Sequence, residues 1–221
     1  MKMKFFAALA VFMILTLTGC GSDHNHPPPE YVTTSIFSDA RFDGDIQLDF
    51  DTDTLNAIPD DNPSVLAGID PLSVSLLNPF LPKFEYRAFL HFPLDGVNGV
   101  PGNAIIDSAF LEIFINNIDI QPPADTIPMR IDLLSFFPPV LVGPEFDLLP
   151  YVGTEPVQFL IFLADRGRSI TIDVTELMKT AQRSQLADFQ IRIMEEFGIV
   201  TPGLIEINET TRPPLLTVTY Y

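Results

Sequence analysis

The chain predicts an all-β fold, a two-sheet antiparallel jelly-roll-like sandwich with one short helix near 174–185. Three observations predict it: repeated alternation of apolar and polar residues with period two, 21 prolines spread over 221 residues, and a single isolated helix signature. Alternation of this kind marks strands with one buried face. Proline removes a backbone donor and breaks helix interiors, so this many prolines leave little room for long helices. Hydrophobic residues at 47% are enough to fill one large core, and no internal repeat divides the chain.

The elements follow in order. Residues 33–37 form a first short strand; then Ile46, Leu48 and Phe50 share one face while Gln47, Asp49 and Asp51 share the other. Residues 65–69 form another short strand. Phe84, Tyr86, Ala88, Leu90 and Phe92 then oppose Glu85, Arg87, Phe89 and His91, and Ala109, Leu111, Ile113 and Ile115 oppose Phe110, Glu112, Phe114 and Asn116. Met129, Ile131 and Leu133 continue the pattern. Residues 157–163 are apolar on both faces, which predicts a central strand. Ile170, Ile172 and Val174 precede the helix, whose expected N-cap and N3 are Asp173 and Glu176, with Leu177 and Ala181 forming its apolar stripe. Strands at Phe189–Ile193, Leu204–Ile207 and Leu216–Tyr220 complete the set.

The first nineteen residues read as a secretory signal. Lys2 and Lys4 precede an apolar run from Phe5 to Leu17, too short to span a bilayer. It ends in Leu17-Thr18-Gly19-Cys20, which resembles the lipobox of bacterial lipoproteins and implies that Cys20 carries the lipid anchor. Cys20 is the chain's one cysteine and cannot form an intramolecular disulfide. Residues 20–32 are then the lipidated cysteine and a polar, proline-rich tether, with His24 and His26 solvated on it, and 33–221 is the domain. Gly21-Ser22-Asp23 resembles the start of mature lipoproteins at the outer membrane or cell surface. The net charge of −17, or −19 without Lys2 and Lys4, excludes nucleic acid and anionic headgroups as partners.

The strand order also carries a resemblance. Ser64-Val65-Leu66-Ala67-Gly68, Arg87-Ala88-Phe89-Leu90-His91-Phe92-Pro93-Leu94, Ile106-Asp107-Ser108-Ala109-Phe110-Leu111-Glu112-Ile113, Ile172-Asp173-Val174-Thr175-Glu176-Leu177 and Pro213-Pro214-Leu215-Leu216-Thr217-Val218-Thr219-Tyr220 occur in the order found in DNRLRE domains. These are jelly-roll-like sandwiches of extracellular bacterial proteins, related to alginate-binding carbohydrate modules. The resemblance spans residues 33–221 and implies a binding module. This chain has no tryptophan, so any aromatic platform must be built from phenylalanine or tyrosine.

No glycine-rich phosphate loop, zinc-ligand pair or thiol nucleophile stands out, and no catalytic residue is assigned. His91, expected on the more polar strand face beside Arg87 and Glu85, is what an alternative reading as an extracellular hydrolase of polysaccharide or ester substrates would use. Phe110, Glu112, Phe114 and Asn116 combine flat aromatics with polar side chains on one strand face and are the expected ligand-binding residues, unless both faces of that strand are buried. The apolar, proline-punctuated connection containing Phe136, Phe137, Leu141, Phe146 and Tyr151 reads either as a partner loop or as a lid over the sandwich. Asp49, Asp51, Asp53 and Asp60 fall at offsets 1, 3, 5 and 12 of an EF-hand-like loop, which points to a structural calcium ion; Thr54 occupies the position of the turn glycine, and a solvated strand face is the competing reading. The expected function is a cell-envelope lipoprotein, anchored in the membrane by lipid, whose non-catalytic module contacts a polysaccharide or an envelope protein.

Overall fold

The computed structural model describes residues 29–59, 63–77, 82–96, 99–136, 141–196 and 202–221. Residues 31–221 form one compact unit. Its strands are β1 (Val32–Phe37), β2 (Gly44–Asp49), β3 (Thr54–Pro59), β4 (Ser64–Ile69), β5 (Phe84–Pro93), β6 (Ile106–Ile120), β7 (Thr126–Leu134), β8 (Val157–Phe162), β9 (Arg168–Asp173), β10 (Asp188–Glu195), β11 (Gly203–Asn208) and β12 (Leu215–Tyr220), with helix α1 (Thr175–Arg183) between β9 and β10. The all-β, sandwich-like class is as predicted. The strands nevertheless belong to one antiparallel sheet, in the order β1-β12-β6-β11-β4-β5-β10-β7-β8, curled into a half-barrel.

The sheet is continuous because β6, at 15 residues, is long enough to serve two sets of neighbours. Its first half pairs with β12 on one side and β9 on the other; its last residues pair with β11. A bulge separates the two halves, where Ile207 faces Ile115 and Glu206 faces Asn117, leaving Asn116 as the extra residue. Such a bulge bends the strand and sharpens its twist, which is how a sheet turns a corner. On β5, residues 84–89 pair with β2 on one side, while the other side pairs with β10 and, at its start, with β4.

The main core lies inside the curl. Leu90 and Phe92 of β5, Ala109, Leu111 and Ile113 of β6, Ile191 and Ile193 of β10, and Leu216 and Val218 of β12 are all buried there, and α1 adds Leu177, Met178 and Ala181. Alternation along each strand supplies this face. The helix begins at Thr175, and Asp173 sits one residue further out than expected: Val174 occupies the N-cap, while the Asp173 carboxylate accepts from the Thr175 amide at 2.9 Å. Glu176 instead pairs with Lys179, at 2.8 Å, on the exposed side of the helix.

A second, smaller core covers the opposite face of β5, β10 and β7. Ile46, Phe89 and Leu134 meet Phe136, Leu141 and Phe146, with Leu48, Leu55, Ala57 and Leu148 packed around them. The described residues of the connection after β7 thus form a lid over this core in part: of those expected on a partner loop, Phe136, Leu141 and Phe146 are buried and Tyr151 packs against the main core, whereas Val142 and Leu149 are exposed; Phe137 lies outside the described residues. The prediction of a central strand at 157–163 also fails. Strand β8 pairs with β7 alone, at the end of the sheet path, and its Leu160 and Phe162 are exposed.

Candidate functional site

The outer surface of β1, β12, β6 and β9 is not covered by any described element, and strand register brings its side chains into cross-strand rows. Phe37, Leu215, Glu112 and Thr171 form one row. Ser35, Thr217, Phe110 and Asp173 form the next, Phe114 stands opposite Ser169, and Thr33 and Thr219 share a hydroxyl hydrogen bond of 3.1 Å. β6 is thus interior to the sheet yet open on this face. Phe110 is 41% exposed and Phe37 58%. Rings held this way by a paired backbone lose little conformational freedom on meeting a ligand.

Phe37, Glu112, Phe114, Ser169, Arg212 and Leu215 line a groove of about 370 Å³ on this face. The Arg212 guanidinium lies 4.2 Å from the centre of the Phe114 ring, a cation–π contact that fixes both groups. The loop carrying Arg212 is held by Asn208, whose side-chain oxygen accepts from the amides of Thr211, at 2.9 Å, and Arg212, at 2.8 Å. Asn208 in turn donates to the Asn116 side-chain oxygen at 3.0 Å, while Asn116 donates to Glu206 at 3.2 Å. Of the four residues expected to bind ligand, Phe110, Glu112 and Phe114 meet on the open face. Asn116 does not line the groove: its side chain bonds to Glu206 and Asn208 of β11, and through Asn208 it supports the Arg212 loop. Arg212 and Phe37 were missed because they come from a loop and a strand distant in sequence and no local pattern links them to β6.

The acidic segment after β2 is a β-hairpin turn, with Asp53 in the left-handed region at φ 54°, and does not curl as an EF-hand loop. Asp49 accepts from the Asp51 amide at 2.9 Å and approaches Lys83 at 3.7 Å. The Asp51 carboxylate accepts from the Ser75 hydroxyl and from the Leu76 amide, which hold it below the usual carboxylate range. Asp60 and Cys20, the residue expected to carry the lipid, lie outside the described residues. Among the described residues no three metal-ligating side chains converge, and no helix there is long and apolar enough to cross a membrane.

His91 keeps the strand face expected of it, but that face is covered and the residue is only 3% exposed. Its ring packs edge-on against Phe42, and its Nε2 lies 3.3 Å from Asp188. An imidazole enclosed in this way offers no open side to a substrate.

No family model matches the chain, and comparison with curated proteins finds no significant match.

Proposed function

We propose that the protein is a lipid-anchored lipoprotein of the cell envelope, at the outer membrane or cell surface, whose sandwich is a non-catalytic binding module for a neutral glycan. The observation that carries this reading is the open face of β1, β12, β6 and β9. There Phe37 and Phe110 stand exposed, Phe114 lies beneath Arg212, and Ser35, Thr217, Ser169 and Thr171 supply hydroxyls between the rings. Apolar platforms interleaved with a few polar groups bind sugars through the apolar faces of the rings and the hydroxyls at their edges. The net charge of −17 disfavours a polyanion. The leader ending at Cys20 supports the anchor, and the DNRLRE-like strand order supports a binding role.

An envelope protein on the same face is the second reading, favoured because phenylalanine lacks the polar handle of tryptophan or tyrosine. The mature chain, probed against arrayed neutral glycans and used for affinity capture from native envelopes, separates the two. Retention of a glycan, lost on Phe110→Ala, supports the first reading. Capture of a protein through the same residues, with every glycan unbound, replaces it with the second. A hydrolytic activity lost in His91→Ala would overturn both.

A further inference from the structure

Between β4 and β5 the chain carries a loop whose side chains are the reverse of a solvated one. Residues 71–77 read Pro-Leu-Ser-Val-Ser-Leu-Leu, and Leu72, Val74, Leu76 and Leu77 are 77, 58, 85 and 77% exposed. None of these seven residues is charged. Scattered single exposed leucines need no explanation, but four aliphatic side chains on one projecting loop mark a contact surface.

The loop is pinned in this shape from both flanks. Asp70 accepts from the Leu72 amide at 2.9 Å and the Ser73 amide at 3.3 Å. Asp51 accepts from the Leu76 amide at 2.8 Å and from the Ser75 hydroxyl. Lys83 donates its amide to the Ser73 carbonyl at 3.3 Å, and Val74 bridges to Pro82. With its backbone held in this way, the loop presents these side chains to solvent. Phe50, beside Asp51 in the neighbouring hairpin turn, is 41% exposed and adds a fifth apolar side chain.

The chemistry of this tip selects its occupant. Anchors of protein interfaces are drawn from tryptophan, tyrosine and arginine seated in matching pockets, with leucine and valine under-represented. A convex cluster of aliphatic side chains instead suits hydrocarbon, which deforms around whatever enters it. The shoulders carry Asp49, Asp53 and Asp70 beside Lys83, a net negative charge that repels anionic headgroups. We propose that the loop at 71–77 inserts its leucines into the interfacial layer of a zwitterionic lipid bilayer, as a contact separate from any lipid on Cys20. Within the domain, Tyr31 and the loop belong to opposite ends of β6. Tyr31 lies against Tyr221, which pairs with Ile105 just before β6, whereas the loop leaves β4 where β11 meets the far end of β6, roughly 45 Å along that strand.

The test uses the chain from residue 21 onward, without leader or lipid, since all the strands and both cores lie within residues 31–221. It is floated with phosphatidylcholine vesicles and with vesicles containing phosphatidylglycerol. Binding to the zwitterionic vesicles is expected, reduced at least tenfold by Leu76→Ser with Leu77→Ser and unchanged by Val152→Ser, an exposed apolar residue elsewhere. Because the chain has no tryptophan, Leu76→Trp places a single fluorophore at the tip, and its emission is expected to shift to the blue on adding vesicles. Thermal unfolding of each variant confirms that the fold is retained. No binding to zwitterionic vesicles, binding that survives the double serine substitution, or binding to anionic vesicles alone overturns the proposal.

Discussion

Arg192 Nη2 donates to Asp132 Oδ2 at 2.6 Å, and both side chains are buried beneath the second core. The same guanidinium donates to the Phe146 and Leu148 carbonyls at 2.7 and 3.0 Å, so one ion pair ties β10 and β7 to the lid. Arg87 adds a second clamp, with its guanidinium 3.6 Å from the Phe146 ring centre. Removing one partner strands the other charge in a medium that cannot solvate it. Asp132→Ala is expected to destabilise the protein by about 3–5 kcal/mol, read as a lower urea midpoint. A loss within about 0.5 kcal/mol would show that the lid does not depend on this pair.

Gly68 stands at φ +116°, where its absent Cβ leaves room for the Gly203 carbonyl oxygen, 2.1 Å from where a Cβ would sit. Gly68→Ala therefore combines backbone strain with a clash against main chain that cannot rotate away. The expected cost is at least about 2 kcal/mol, with β4 and β11 exchanging amide protons faster than the remaining strands. An unchanged melting temperature would contradict this close approach.

Two buried carboxylates predict the pH dependence of stability. Burial pushes Asp45 up to about 6 and Glu195 up to about 7, against the hydrogen bonds each accepts: Asp45 from the Leu66 amide at 3.0 Å, Glu195 from the Ile69 and Gly203 amides at 3.2 and 3.4 Å. Both folded-state values exceed the unfolded ones, so ionisation costs stability at pH 8, and that cost disappears as the folded protein takes up protons between pH 8 and 5. The urea midpoint is expected to rise over this window, and Glu195→Gln to raise it at pH 8 and flatten the slope. Asp39, Asp51 and Asp173 are shifted downward, so their contribution is lost only at lower pH. A midpoint that falls from pH 8 to 5 would contradict the assignment.

On the open face, Phe110→Ala and Phe114→Ala are each expected to weaken ligand binding about tenfold, equivalent to about 1.4 kcal/mol, without lowering the melting temperature by more than a few degrees. Asn116→Ala should weaken binding as well, although Asn116 does not line the groove, because it releases Asn208 and with it the Arg212 loop. Equal affinities for Asn116→Ala and wild type, measured by titration calorimetry, would leave that chain of hydrogen bonds without a role.

Anchoring has its own test. Cys20→Ser is expected to leave the precursor unprocessed or the protein released from membranes, read by fractionation and by the mobility of the band. Retention and processing identical to wild type would remove the lipid-anchor reading and leave the open face as it stands.

The local features were legible in the sequence because they depend on near neighbours. Alternation along residues 84–92 and 109–115 identified the strands and their inward faces, and also which side of β6 carries Phe110, Glu112 and Phe114. Proline frequency argued against long helices, and the α-helix found among the described residues lies close to its expected position. What the sequence left open depended on pairing between distant segments. Residues 157–163 are apolar on both faces, a pattern shared by a central strand and by an edge strand with exposed side chains, and only the pairing of β8 with β7 alone distinguishes them. The segment after β7 read more as a lid than as a partner loop, and which of its residues pack inward was decided only where Phe89, Leu134 and Ile46 meet Phe136, Leu141 and Phe146 from three strands. The bonding of Asn116 to Glu206 and Asn208, the seat of Arg212 on Phe114 and the enclosure of His91 follow from the pairing of distant segments, which side-chain periodicity leaves undetermined. A period-two pattern specifies which side of a strand is apolar. Which neighbour covers that side is decided by tertiary packing, where long-range contacts offset the entropy of closing the chain between them.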